Sequence, residues 1–318
     1  MARYLVIRLG AMLLTFLLVA LLVFSLLRLL PGSAIEVLLE EFNYAQNIEI
    51  LKAELGLDQP FHIQFIRWFS DLMTGNMGNS LITKRPILDE IVWRWPVTIE
   101  LTILTLVVNL AIGIPIGVLS AIRQDTTLDH VIRSIAILAI AIPTFWIATL
   151  TVVIPAAFAG WSPPFLYVPF SEDPIGNLSV FILPALTLGF YLQGRTVRLL
   201  RAMMLDVLSQ DYVRTAWAKG LPARIVIIRH ALRNALIPVV TLIGLEIPFL
   251  LGGVVVVEKV YTLPGMGRYL LDALQARDYI AVQSLLMVMA AIVMITNLIV
   301  DLSYGMLDPR IRLESTRR

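Results

Sequence analysis

The chain contains no cysteine, which excludes disulfides, thiolate metal sites and cysteine nucleophiles while leaving the compartment open. Charge is scarce as well. Asp, Glu, Lys and Arg make up 15% of 318 residues, and the formal net charge is only +2, so bulk electrostatics give no reason to expect a nucleic acid partner. The three histidines, His62, His130 and His230, form no H-E-x-x-H zinc motif. The four lysines, Lys52, Lys84, Lys219 and Lys259, sit in no phosphate-cradling P-loop, and Gly265-Met266-Gly267 has Leu270 where a dinucleotide fingerprint needs glycine. No Gly-x-Ser-x-Gly elbow occurs. No catalytic or metal-ligating residue is therefore assigned, no cofactor is expected on this chain, and any energy source must be a partner or an ion gradient.

What is abundant is apolar. Hydrophobic residues make up 58% of the chain and the mean hydropathy is +0.83, values that call for membrane spans. About 20 apolar residues cross a hydrocarbon core about 30 Å thick, and six stretches qualify: Leu9–Leu30, Leu101–Ile122, Ser134 to about Ala157, a fourth within Pro174–Gly194, Asn234–Val257 and about Ile280–Met306. The first follows Arg3 and Arg8 as a signal peptide would, but it is far longer than an h-region and reads as a retained anchor.

Lys and Arg set the orientation. One side collects 16 of them, in four groups around Arg3, Arg123, the Arg195–Arg233 segment and the C-terminal tail; the other side has 8, five of them in one long loop that the rule discounts. The expectation is an all-α membrane protein with six transmembrane helices and both termini cytoplasmic. Its parts would be an N-terminal tail and first helix (1–30), an extracytoplasmic segment (31–96), a five-helix core (97–306) and a cytoplasmic tail (307–318). In the extracytoplasmic segment, Asn47 can cap a helix ending at Gly56, and Pro60 can open another ending at Gly75. Phe61, Phe65, Trp68, Phe69 and Leu72 would then form one stripe, suited to packing on the chain's own spans or to docking a partner.

Between the fourth and fifth spans, DYVRTAWAKGLPARIVIIRHALRNALIP stands out as basic. Ser209 is a candidate N-cap, Asp211 suits the first turn, and Gly220 with Pro222 ends a helix placed at about 209–220. Tyr212, Val213, Ala216 and Trp217 would share one face, apart from Arg214, Thr215 and Ala218. Positive-inside charge, an interfacial helix and insertion into a partner's groove all account for this composition.

That stretch resembles the cytoplasmic loop of permeases in the dipeptide, oligopeptide and nickel branch of ABC importers. The likeness extends through Leu30-Pro31-Gly32, Glu54–Pro60, Gly75-Asn76-Met77-Gly78-Asn79-Ser80, Arg198-x-x-Arg201, Glu258–Tyr261, Pro264–Arg268, Arg277-Asp278-Tyr279 and Asp308-Pro309-Arg310-Ile311-Arg312. The resemblance implies an inner-membrane permease that pairs with a homologous second permease. It also implies two cytoplasmic ATPases holding ATP and Mg, and an extracytoplasmic binding protein. It makes Asp211–Gly220 the ATPase-coupling helix, with Asp211 and Thr215 within it, Tyr212, Ala216 and Trp217 as knobs, Arg214 and Lys219 at the rim and Gly220 at its end. Trp217 stands where related loops carry Arg, and Ser33 and Asn76 where Asp is expected. The implied cargo is a short peptide; nickel chelates, glutathione and other peptide-like solutes are alternatives. An ion-coupled secondary transporter is the rival class, for which paired intramembrane acids would be the signature.

Glu246 falls near the middle of the fifth span, where an ionised side chain costs roughly 2.5–3.5 kcal/mol on insertion scales. It is expected to face the pathway and meet a cationic cargo group, or else to be neutral or paired with a neighbouring span. Asn109 and Asn297 join it as pathway candidates, Asn297 lying four residues before Asp301. Pro115, Pro143, Pro184, Pro238 and Pro248 are expected to kink their spans.

Overall fold

The structure, a computed structural model, describes residues 2–29 and 58–307. The helix expected between Asn47 and Gly56, Ser33 and the tail from 308 lie outside these residues. All regular elements described are helical: α1 Ala2–Leu29, α2 Phe61–Met73, α3 Ile87–Ile122, α4 Thr127–Ala141, α5 Thr144–Ala159, α6 Pro174–Leu208 and α7 Asp211–Ala218. A short turn Ala223–Ile225 and a π-helical segment Val226–Leu232 then lead into α8 Arg233–Gly253, α9 Val255–Val260, α10 Met266–Gln275 and α11 Tyr279–Leu307.

Five of these helical stretches are long and apolar enough to cross a membrane, and α4 with α5, bent by 98° at their break, gives the sixth when counted as one span. The break has a local cause. Ile142, extended at φ −84° and ψ 128°, precedes Pro143, whose ring disfavours helical backbone at the residue before it. Of the five prolines expected to kink spans, Pro143 alone interrupts one. The others lie inside helices that continue through them. Several helices also exceed their predicted spans, α1 beginning at Ala2 rather than Leu9. α3 begins at Ile87 rather than Leu101, and α6 runs on to Leu208, because apolarity marks only the lipid-facing length whereas backbone hydrogen bonding continues into water.

The chain folds as two compact units, Met1–Pro96 with Arg268–Arg318, and Val97–Gly267. In the first, the predicted stripe on α2 packs against α1. Phe24 is fully buried, with ring centroids 5.2 Å from Phe61 and 5.3 Å from both Phe65 and Trp68. Each aromatic pair contributes about 0.5–1.5 kcal/mol beyond its buried area. Two motifs far apart in sequence also meet in this unit. Ser80 donates its hydroxyl to Asp278, Asp278 accepts from the Ala281 N–H at the start of α11, and Ser284 donates to the Met77 carbonyl. Close by, the Tyr269 ring lies 4.6 Å from the Arg94 guanidinium. Burial first, and then the charges of Asp278 and Glu90, push the Tyr269 phenol up to about 12.

In the second unit, α6 lies between α3 and α4. Where lipid surrounds helices, no hydrophobic force separates one helix from another, so association depends on close packing of small residues. A Cβ at Gly194 of α6 would stand 2.6 Å from the Ala136 carbonyl of α4. One at Gly189 would stand 2.7 Å from Val108 of α3, and one at Gly117 of α3 would stand 3.0 Å from Leu200. A buried ion pair anchors the same crossing. Arg201 of α6 donates from Nε and Nη2 to the two oxygens of Asp129, at 2.7 and 2.6 Å. Asp129 also accepts from Ser120 Oγ at 2.6 Å and from the Asp125 N–H at 3.1 Å. A second carboxylate, Glu258 of α9, is fully buried and accepts from Thr98 Oγ1 at 2.6 Å. Any side chain at Gly265 would collide with it.

Removing one partner of a hydrogen-bonded buried pair costs about 3–5 kcal/mol. Arg201 retains some exposure, so Arg201→Ala should destabilise the protein by about 3 kcal/mol. The check is thermal unfolding of the detergent-solubilised chain; an unchanged midpoint would show that the pair does not anchor the crossing.

Candidate functional site

Asp211–Ala218 is helical as expected, but its N-cap is Gln210, without a side-chain cap bond. Ser209, the expected N-cap, instead ends α6 and donates its hydroxyl to the Asp206 carbonyl. Asp211 sits in the first turn, where its charge suits the helix N-terminus. Thr215 Oγ1 donates to the Asp211 carbonyl at 2.9 Å. Gly220 adopts φ +74°, the left-handed conformation that glycine supplies at a helix end.

The face predicted to carry four residues together divides in two. Val213 and Ala216 are 0% and 5% exposed and turn inward, joining a core with Leu200, Met204, Val207, Val226 and Ala231. Tyr212 and Trp217 remain 39% and 45% exposed, and Arg214 and Lys219 are exposed too. Ala216 is thus a core residue of this chain and offers no outward knob. Tyr212 has a different role again. Its hydroxyl donates to the His230 carbonyl at 3.2 Å and accepts from Asn234 Nδ2 at 2.7 Å, tying α7 to the π segment and the first turn of α8. Beside that tie, Tyr212, Arg229, His230, Arg233, Asn234 and Ile237 line an open cleft of about 430 Å³. π segments recur at functional sites because the widened turn interrupts the regular ladder.

The pathway candidates fall in different settings. Asn297 of α11 is exposed. Asn109 of α3 is fully buried, and neither amide atom is hydrogen-bonded among the described residues. Glu246 is also fully buried, with Arg195 Nη1 at 3.8 Å from its Oε1. Among the described residues Arg195 of α6 stands as its counter-ion, the pairing with a neighbouring span that was the alternative to contact with a cationic cargo group. One turn away, Tyr191 stacks on Phe249 with ring centroids 5.9 Å apart. Sequence reasoning counted Arg195 only as an orientation charge. The signal was available, since the charge-free run Pro174–Gly194 ends at it and a carboxylate in a span needs a partner.

Five helical stretches long and apolar enough to cross a membrane, or six with α4 and α5 as one span, define a multi-pass membrane protein, and α7 lies on the surface between two of them. Comparison with known proteins makes this specific. The family described as binding-protein-dependent transport system inner membrane component matches residues 113–313, and its N-terminal companion matches residues 1–102. A Brucella abortus (strain 2308) protein named as a peptide transport system permease is 38% identical over 94% of this chain and 95% of its own length. The dipeptide transport system permease protein of Alkalihalophilus pseudofirmus is 38% identical over 91% of this chain and 93% of its own. The glutathione transport system permease protein of Salmonella paratyphi A is 38% identical over 98% and 99%. The chain belongs to the binding-protein-dependent inner-membrane permease family of ABC importers.

The inward and outward residues of α7 should separate in mutagenesis. Ala216→Leu overfills the core and should cost about 1–3 kcal/mol, whereas Trp217→Ala should change stability by about 0.5 kcal/mol or less. Far-ultraviolet circular dichroism melts would check both; equal losses would mean that the two side chains share one environment.

Proposed function

We propose that this chain forms half of an ATP-driven import pathway for short peptides, that a homologous permease supplies the other half, and that α7 is the helix through which ATPase partners drive it. The observation that carries this reading is the construction of α7. Val213 and Ala216 root it in the core, the Tyr212 hydroxyl links it to the start of α8, and Arg214, Trp217 and Lys219 remain on its open surface. A rooted helix with an aromatic and basic outer face can transmit a push from a docked partner into the spans that follow. Two ATPases would hold ATP and Mg, hydrolysis would be theirs alone, and a binding protein would deliver cargo on the opposite side. The names of the relatives, which speak of peptides, dipeptides and glutathione, support a peptide-class cargo. Both termini and α7 belong in the cytoplasm on this reading, which the distribution of Arg and Lys supports.

Mass spectrometry of the chain gently extracted from its own membrane tests the assembly. Two ATPase copies and one homologous permease are expected, with uptake into membrane vesicles that needs ATP and survives a protonophore. A homomer whose uptake collapses with the proton gradient would overturn the reading. Tyr212→Phe keeps the ring and removes the tie, two hydrogen bonds worth about 1 kcal/mol each. Peptide moved per ATP hydrolysed should fall by about thirtyfold while the complex stays assembled; unchanged coupling would rule out the hydroxyl as the link. Because there is no native cysteine, topology can be read without background. Lys219→Cys should react with an impermeant maleimide only from the cytoplasmic face, and Glu172→Cys only from the outside.

A further inference from the structure

Two arginines six residues apart on α6 are treated differently by the fold. Arg201 has its planar fork filled by both oxygens of Asp129, the arrangement that best matches guanidinium to carboxylate. Arg195 also stands beside a buried carboxylate, but at 3.8 Å, within reach of charge attraction and too far for a hydrogen bond. Among the described residues none of the five N–H donors of Arg195 is hydrogen-bonded, and its side chain is 40% exposed.

The depth of that exposure matters. Glu246 is 13 residues beyond Arg233 in a helix that ends at Gly253, so it lies about 20 Å along an axis of about 30 Å. Arg195 directly follows the charge-free run Pro174–Gly194, so its backbone stands at the cytoplasmic end of the apolar length of α6 while its guanidinium reaches in to Glu246. A partly exposed arginine head held against a carboxylate inside a span is costly in lipid, and such groups almost always face a bundle interior or a water-filled passage. The adjoining surface suits a small amphipathic solute. Phe249 is 51% exposed and stacks on Tyr191 one turn away from the ion pair, giving an apolar wall next to N–H donors that no described residue occupies.

We infer that Arg195 faces the substrate pathway and binds the carboxylate end of the cargo, with Glu246 as the positioning residue that holds the guanidinium at that depth. This rests on the peptide-import reading above, and it names the charged group through which the pathway would recognise its solute. The buried carboxylate holds the arginine in place. Its long separation leaves the N–H fork able to engage a second carboxylate bidentately, as Arg201 does with Asp129.

The test uses the complete reconstituted transporter with its binding protein. It compares peptides that differ only in a free C-terminal carboxylate or an amide, chosen so that the binding protein takes up both equally. Wild type should carry the carboxylate form faster by about tenfold, the worth of a charged hydrogen-bonded contact. Arg195→Gln alone strands a buried carboxylate, so the neutral pair Arg195→Gln with Glu246→Gln is the informative variant. It should erase the preference by slowing the carboxylate peptide while the amide rate stays within about twofold. Arg195→Lys should keep part of the preference, because a point charge replaces the fork. An unchanged preference in the double variant, or an equal loss on both peptides with normal assembly, overturns the assignment. If wild type carries neither peptide, the peptide-import reading itself fails.

Discussion

The close approach of α6 to α3 and α4 is the constraint on which the rest of the Val97–Gly267 unit depends. Helices in lipid gain little from excluding one apolar surface from another, so they hold together through contact area and buried polar bonds. Gly113, Gly117, Gly189 and Gly194 let backbones approach to distances that a methyl group would forbid, and the Asp129–Arg201 pair is made where that approach permits it. The same proximity leaves Asn109 and Thr196 enclosed without hydrogen-bond partners among the described residues, which places uncompensated polarity inside an otherwise apolar contact.

From this arrangement follow the two states of arginine on α6. Charge deep in a membrane protein must be neutralised, yet neutralisation need not occupy every donor. Arg201 is locked by four-point geometry around one carboxylate and serves the fold. Arg195 is compensated in charge but not in hydrogen bonding, and that difference separates a structural group from one able to take a solute. A loose pair would be a poor means of stabilisation, because the desolvation of Glu246 is offset only by attraction at 3.8 Å.

The surface helix α7 obeys a related division. A helix of eight residues is too short to persist alone, so its order comes from Val213 and Ala216 in the core and from the Tyr212 tie to the π segment. Its outer face is then available for contact without endangering its attachment. The link ends at the first turn of α8, the helix that carries Glu246, so α7 is bonded to the element that bears one member of the ion pair.

Sequence alone determined the spans, the candidate coupling helix and the family resemblance. Span length is dictated by hydrocarbon thickness, helix ends by Gly220 and Pro60, and the resemblance by motifs read in order. The stripe on α2 was legible because 3.6-residue spacing places Phe61, Phe65 and Trp68 together before any partner is known. Tertiary structure decided what those patterns touch. It turned Val213 and Ala216 inward while leaving Tyr212 and Trp217 outside, joined Ser80 to Asp278 across 198 residues, broke the third span sharply at Pro143, and set Arg195 against Glu246. Each of these depends on residues distant in the chain, and periodicity along one helix carries no information about which neighbour its face will meet.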